Sequence, residues 1–292
     1  MSQNSIIENQ NKPEYIKLLR ASTAAYTKAK SGEVKITYFL LFLSIAYPLC
    51  YLFTKDESVK LILFACSFLL TVIVQIFSDN FKGNTSKGAI FKEEFDTSLF
   101  NLRWKSTLKR PDHSEISQYS IQYKGNEIKN WYSTNLSETI PHNIIIAVLQ
   151  HSNTSWDVAL RKTYRKYLIN FIVFYSIALF AIFVIKKTDG LTIFLLLFSL
   201  LSLYTHFISL IRGNSWAIEK RESISKHLDE IIQKKHSVTL QELRDIQDEI
   251  YITRQEPTKV PNFFFNWYKK EMNATAEDYI AMVNEIYKNR KS

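Results

Sequence analysis

The residues best suited to chemistry in this chain are polar side chains inside long apolar runs. The stretch LTIFLLLFSLLSLYTHFISLI contains Ser199, Ser202, His206 and Ser209. On a helix that turns by about 100° per residue, these side chains fall within an arc of about 100°. An unsatisfied polar group in hydrocarbon is costly. The stripe therefore needs either water or a hydrogen-bonding partner.

A second polar stripe lies in the apolar run at 59–77. Two functions remain open for both stripes: the side chains line an aqueous path between associated copies of the chain, or they form hydrogen bonds between packed helices. Serine and threonine favour packing, whereas the larger Gln75 and His206 favour a path that contains water. The candidate pore-facing residues are Ser67, Thr71, Gln75, Ser199, Ser202, His206 and Ser209.

Aromatic and basic residues interleave outside the apolar runs. Arginine binds phosphate oxygens, and the faces of Trp and Tyr stack on bases, so a nucleotide-like ligand suits this composition. Residue by residue, the aromatic side chains also suit a protein core, and the basic cluster at 161–166 also suits a contact with anionic lipid headgroups. The candidate ligand-binding residues are Arg103, Trp104, Trp131, Tyr132 and Arg161.

The sequence patterns typical of enzymes are incomplete. GNTSKGAI has glycines at the phosphate-loop interval, but Ala89 and Ile90 stand where Lys and Ser or Thr are required, so we interpret it as a loop. No two histidines have the i, i+4 spacing of a helical metal site, and Cys50 and Cys66 both lie inside apolar runs. The carboxylates are interpreted as lying on solvated helix faces. We therefore predict no enzyme, no catalytic residues, no cofactor and no metal.

Four apolar runs supply the elements that position the stripes: 36–53, 59–77, 167–185 and 191–211. Each is long enough to cross about 30 Å of hydrocarbon as a helix. Only TKDES separates the first two and KKTDG the last two, so the spans form two hairpins. The predicted fold is an all-α membrane protein with four transmembrane helices in two hairpins and a mainly helical cytoplasmic domain.

The charge distribution predicts the orientation. Of the 37 Lys and Arg residues, only Lys55, Lys60, Lys186 and Lys187 lie in or beside the short connections. The positive-inside rule therefore places both termini in the cytoplasm. The expected segments are a cytoplasmic helix at 1–35, hairpins at 36–77 and 167–211, and cytoplasmic helical segments at 78–166 and 212–292. We also predict unbroken helices entering the third span and leaving the fourth.

Several motifs, in order and spacing, resemble the SMODS-associated four-transmembrane effector family of bacterial anti-phage systems. They are QNKPEYIKLLRASTAAYTKAK, FDTSLFNLRW, NWYS, LQHSNTSWDVALRKTYRKY and RQEPTKVPNFFFNWYKKEM, and together they cover nearly the whole chain. His151 stands where the family favours arginine, which weakens a phosphate contact there.

The resemblance implies a pore-forming or membrane-disrupting effector of abortive infection that lies in the inner membrane. A cyclic oligonucleotide made by a neighbouring nucleotidyltransferase would be the activating ligand. The expected partners are membrane lipid and further copies of the chain, and no DNA or RNA polymer. Two alternatives remain: a bestrophin-like ion channel that cyclic nucleotides do not gate, and an enzyme or scaffold tethered to the membrane.

Overall fold

The computed structural model describes residues 3–234 and 237–290, with side chains described in those ranges except at 3–5, 75, 77–81 and 234. All regular structure in these ranges is α-helical, which confirms the predicted all-α class. The helices in these ranges are α1 (Gln3–Asn9), α2 (Pro13–Phe53), α3 (Glu57–Phe100), α4 (His113–Ile121), α5 (His142–Ser155), α6 (Val158–Lys186), α7 (Gly190–Ser199), α8 (Leu201–Lys234), α9 (Leu240–Arg254) and α10 (Asn262–Asn289).

Short polar caps set the two tight connections. Asp56 accepts a hydrogen bond from the Ser58 backbone N–H at 2.8 Å, which starts α3. Asp189 accepts one from the Thr192 backbone N–H at 2.9 Å, which starts α7. A carboxylate satisfies free N–H groups at a helix N-terminus and interacts favourably with the helix dipole. Each aspartate therefore fixes where the second helix of its pair begins.

Within the described part of the chain, three helical stretches are long and apolar enough to cross a membrane: Pro13–Phe53, Glu57–Val74 and His142–Lys186. A fourth is obtained if Gly190–Ser199 and Leu201–Gln233 count as one broken span. Large apolar side chains on these stretches point away from the rest of the chain, and Phe174 is 75% exposed. An apolar outer surface of this kind is suited to lipid.

The straight helix expected over 191–211 is interrupted. Helix α7 ends at Ser199, α8 begins at Leu201, and the two are bent by 47°. The Ser199 hydroxyl donates to the carbonyl oxygen of Leu195 at 2.9 Å. A serine hydroxyl bonded to the preceding turn competes with the backbone ladder and bends a helix. The polar stripe is therefore split, with Ser199 before the bend and Ser202 after it.

The region outside the apolar segments, which we call the head, is built around α5. Residues Ile144 to Leu149 of α5 are all at most 1% exposed, so this helix is covered on every side. Other core side chains come from α2, α3, α8, α9 and α10. Unbroken helices lead into the apolar run at 167–185 and out of the run at 191–211: α6 begins at Val158 and α8 continues to Lys234. Helices α2 and α3 also run from an apolar segment into the head without a break.

The GNTSKGAI stretch lies inside α3, so its interpretation as a loop is wrong. A Cβ built on Gly88 would meet the Tyr26 ring at 2.8 Å, whereas one on Gly83 would meet nothing within 4 Å. The Gly88 carbonyl oxygen also accepts a hydrogen bond from Ser22 at 2.9 Å. Gly88 therefore allows α2 and α3 to pack closely, and the phosphate-loop interval is a coincidence of helix packing.

These two glycines give a matched pair of substitutions on one helix. Gly88→Ala is expected to destabilise the protein by about 1–3 kcal/mol, because the Tyr26 ring must move in a packed interface. Gly83→Ala is expected to stabilise it by about 0.5–1 kcal/mol, because alanine loses less backbone entropy in a helix. Denaturant unfolding of the detergent-solubilised protein measures both changes. Equal effects would contradict the close approach at Gly88.

Candidate functional site

The polar residues of the apolar helices meet one another inside a single chain. Ser67 and Ser199 are 2% and 1% exposed, and their hydroxyl oxygens are 3.1 Å apart. The hydroxyl of Tyr51 lies 2.9 Å from that of Ser199 and donates to the carbonyl oxygen of Lys60. Residues from α2, α3 and α7 thus share one hydrogen-bonded contact, and Tyr51 belongs to it although it lies in neither predicted polar stripe.

The His206 side chain forms a hydrogen bond with α2. Its Nε2 atom lies 2.8 Å from the Thr37 hydroxyl, which itself donates to the carbonyl oxygen of Glu33. The histidine therefore serves as the donor in this pair. Ser202 is buried, whereas Ser209 is exposed on the outside of the chain.

In the second stripe, Thr71 donates to the Ser67 carbonyl oxygen. The side chain of Gln75 lies outside the described residues. Among the candidate pore-facing residues, Ser67, Thr71, Ser199 and His206 are thus hydrogen-bonded within the chain, Ser202 is buried and Ser209 is exposed.

The head contains buried charges that connect α3 with α9. Arg244 pairs with Glu93 at 2.6 Å, and Arg254 pairs with Asp96. Lys92 lies 3.2 Å from Asp96. We call these five residues the α3–α9 charge cluster. Glu93 and Asp96 are 0% exposed, so the interpretation of the carboxylates as solvated is wrong for both. Charges this deeply buried require mutual pairing, because each has lost its hydration.

An aromatic cage surrounds the ammonium group of Lys92. Its Nζ atom lies 4.1 Å from the ring centre of Phe95, 4.3 Å from that of Trp131 and 5.1 Å from that of Tyr132. Tyr132 also donates to Asp96 at 2.6 Å. Trp131 is 45% exposed and forms the outer wall of the cage. Two of the predicted ligand-binding residues therefore come together at Lys92.

The cluster combines opposed electrostatic effects. Burial lowers the pKa of Lys92 to about 7, against the attraction of Asp96. Burial alone would raise the pKa of Asp96, but the charges of Arg254 and Lys92 lower it below its usual value. The carboxylate is thus fixed in its charged form, while the lysine is close to losing its proton at neutral pH.

Several basic nitrogens in this region are buried without a hydrogen-bond acceptor. Arg244 Nε and Arg254 Nη1 belong to the α3–α9 charge cluster, and Arg221 Nε lies closer to the apolar helices. Buried polar atoms normally have partners, so such donors favour an added acceptor. Phosphate oxygens suit them by charge and geometry. Among the described residues, no group of three or more His, Cys, Asp or Glu is placed to hold a metal ion.

Arg161 lies in a different charge cluster, between the head and the apolar helices. Its Nε donates to Asp157 at 2.8 Å, and its Nη1 to Asn214 and the Thr258 carbonyl oxygen, both at 3.1 Å. Arg221 of α8 binds the same aspartate. We call Asp157, Arg161 and Arg221 the junction cluster. The guanidinium group of Arg161 is bound to these acceptors. The structure therefore does not bring this predicted ligand-binding residue to the Lys92 cage.

The remaining candidates also have other contacts. The carbonyl oxygen of Arg103 accepts from Arg244 at 3.2 Å, and Trp104 donates to the Leu108 carbonyl oxygen at 2.7 Å. His151 stacks on Tyr279, with ring centres 4.0 Å apart, and its Nε2 lies 3.3 Å from Asp229. Arg103 thus borders the α3–α9 charge cluster through its carbonyl oxygen, Trp104 contacts its own loop at Leu108, and His151 links α5 to α8 and α10.

Comparison with known proteins adds two findings. The family model described as SMODS-associating 4TM effector domain matches residues 4–283. A protein of Bacillus cereus (strain VD146), described as a probable CBASS effector molecule, is 30% identical over 181 residues, which is 58% of this chain. The matched part spans 60% of that relative's length. No solved structure matched the chain.

Proposed function

This chain belongs to the SMODS-associating 4TM effector domain family, and we propose that it is a membrane effector of bacterial anti-phage defence. In this proposal the head lies in the cytoplasm and binds a cyclic oligonucleotide. Binding then opens a path through the inner membrane, formed by several copies of the chain. The permeabilised cell dies before the phage completes its cycle.

The observation that carries the proposal is the continuity of α3. Residues Glu57–Val74 of this helix are apolar enough to span a membrane, and Lys92, Glu93 and Asp96 lie further along the same helix. At about 1.5 Å per residue, Lys92 is about 27 Å beyond Val74. Because a ligand shifts an equilibrium only through its different affinity for two states, it must contact a part that moves. Movement of α3 at Lys92 would reach the second span directly.

The Lys92 cage is the proposed ligand locus. Lys92 and the nitrogens of Arg244 and Arg254 that lack acceptors would bind phosphate oxygens, and the exposed face of Trp131 would stack on a base. A phosphate that approaches Lys92 would also compete with the Asp96 carboxylate for the ammonium group of Lys92. The pairing between α3 and α9 would then change, which gives the ligand a different affinity for the two states.

The path itself is proposed to lie between copies. In one chain, Ser67, Ser199 and Ser202 are covered by neighbouring helices, whereas Ser209 faces outward. A membrane path formed by an oligomer would use such outward polar residues, because water satisfies them there. The hydrogen bonds at Ser199 would then hold the helices of each subunit together.

Leakage from vesicles tests the proposal. The full chain is reconstituted in dye-loaded vesicles, and release is measured with and without a panel of cyclic oligonucleotides. Release that depends on one of them is expected. Trp131→Ala is expected to weaken the response about tenfold or more in ligand concentration, because the loss of one stacked base costs about 1–3 kcal/mol. Ile121→Ala, at an 83% exposed head residue, is the matched control and should leave the response unchanged.

The same assay separates the alternatives. Flux of ions without any ligand would favour a bestrophin-like channel, and no flux under any condition would contradict both forms of pore. Ser209→Leu should reduce release if the outward stripe lines the path, with the already apolar Ile208→Leu as its control. Equal release from both variants would show that Ser209 faces lipid.

A further inference from the structure

The first turns of α10 carry large aromatic side chains that the rest of the chain leaves uncovered. Trp267 is 73% exposed and Phe263 is 48% exposed. Their rings are in edge contact, with centres 5.7 Å apart. At about 100° per residue, Phe263, Trp267 and Lys270 lie within about 60° on one helix face. This face, defined by these three residues, is the α10 face.

Contacts with α6 fix the level of the α10 face relative to the apolar segments. Phe264 is buried against Tyr164 and Tyr167, with both ring-centre distances 5.4 Å. Further along α10, Asn273 accepts a hydrogen bond from Trp156 at 3.1 Å. The two helices therefore run antiparallel, with the start of α10 nearest the apolar part of α6.

The distances correspond to the headgroup region of a bilayer. Tyr268 interacts through its side chain with Tyr167, the first residue of the apolar run at 167–185. Phe264 packs between Tyr164 and Tyr167. Trp267 is three residues further along the antiparallel α10, so it lies about 5–7 Å beyond the end of that run, by the helical rise of about 1.5 Å per residue. The headgroup region extends about 5–7 Å beyond the hydrocarbon on each side. Trp267 lies inside this region.

The exposed residues around the α10 face also suit the headgroup region of a bilayer. It continues the exposed apolar surface of α6, where Tyr167 and Phe174 are 56% and 75% exposed. Exposed Lys270 on the α10 face, and exposed Lys166 beside Tyr167, suit lipid phosphates. Tryptophan with lysine one turn away is typical of membrane interfaces.

From the exposed aromatic pair, its level and its continuity with the lipid-facing surface, we infer that the α10 face is an interfacial anchor that inserts into the headgroup boundary of the bilayer. The anchor holds the start of α10 at the membrane, while Ile280, Val283 and Tyr287 pack its later turns into the head core. Helix α10 then connects the head to the lipid surface outside the spans.

Brominated lipids test the anchor without any activating ligand and without leakage. The full chain is reconstituted in phosphatidylethanolamine and phosphatidylglycerol vesicles that carry bromine near the carbonyl end of the acyl chains. Bromine quenches only tryptophans that touch it. Trp267→Phe is expected to lose most of the quenching seen with the wild type. The control Trp131→Phe, at an exposed tryptophan of the head, is expected to keep it.

A second variant tests whether the result for Trp267→Phe is only a local effect of that substitution. Phe263→Ser keeps Trp267 but removes its aromatic neighbour and half of the apolar surface, so quenching of Trp267 should fall and its emission should shift to the red. Unchanged quenching in Trp267→Phe would overturn the anchor. So would a wild-type Trp267 that bromine does not reach but that is shielded from acrylamide, because another protein surface would then cover it.

Discussion

Replacing Asp96 with alanine is expected to destabilise the head by about 3–5 kcal/mol, the usual cost of removing one partner from a buried ion pair. Asp96 is 0% exposed, and it pairs with both Arg254 and Lys92. Its loss leaves two buried cations close together. Denaturant unfolding of the detergent-solubilised protein, followed by circular dichroism, measures the change.

Glu94→Ala is the matched control on the same helix. The partner of Glu94, Arg110, is 63% exposed, so the expected loss is at most about 1 kcal/mol.

The loss of stability in Asp96→Ala should depend on pH. Burial lowers the pKa of Lys92 to about 7 in the folded protein, against about 10.4 in an unfolded chain. Between these values only the unfolded state binds the proton, so the contribution of Lys92 to stability rises with pH. Without Asp96 the folded pKa falls further. The free energy of unfolding of Asp96→Ala should therefore be closer to that of the wild type at about pH 9 than at about pH 6. The same deficit at both values would show that Lys92 carries no charge in the wild type.

Asp157→Ala is expected to cost a similar amount, about 3–5 kcal/mol, because it leaves Arg161 and Arg221 buried without a shared carboxylate. Burial alone would raise the pKa of Asp157, but the two arginines lower it, so the group is charged at neutral pH. Arg161 belongs to α6 and Arg221 to α8. The loss therefore weakens the contact between the two helices where they leave the apolar region.

A second ion pair between the same two helices provides the control for Asp157. Lys162 and Glu222 lie 2.5 Å apart, with side chains 52% and 47% exposed. Glu222→Ala should cost about 0–1 kcal/mol, because water compensates an exposed pair. Asp157→Ala combined with Arg221→Met should recover part of the loss, since one unpaired cation is removed. A loss as small as that of Glu222→Ala would contradict a buried junction.

Periodicity and capping predicted much of the fold. The apolar runs predicted candidate spans, and Thr239 with Glu242 three residues later is a sequence signature of a helix start, where the structure has the complete capping box of α9. The bend at Leu200 was not predicted, because it depends on how the Ser199 hydroxyl is bonded. GNTSKGAI was misinterpreted because two glycines resemble a loop, whereas Gly88 is required by the ring of Tyr26 on another helix. Contacts between distant segments were the missing information in both cases.

The candidate site was predicted only in part. Aromatic and basic interleaving indicated Trp131 and Tyr132, which lie at the Lys92 cage. The α3–α9 charge cluster itself was missed, because Asp96 and Arg254 are 158 positions apart. A local signal was present: Lys92 and Asp96 are neighbours, in sequence, of Phe91 and Phe95, which are fully buried. Charges next to core aromatic residues at helical spacing indicate a buried network rather than a solvated face.

The wide separation of the paired charges has a consequence for biosynthesis. Glu93 and Asp96 leave the ribosome early, whereas Arg244 and Arg254 are near the end of the chain. When the last apolar run has been synthesised, both carboxylates still lack their arginines, and α5 lacks its cover from α9 and α10. The head can therefore close only after nearly all of the chain has been translated. A prematurely terminated chain would contain every candidate span without a closed head.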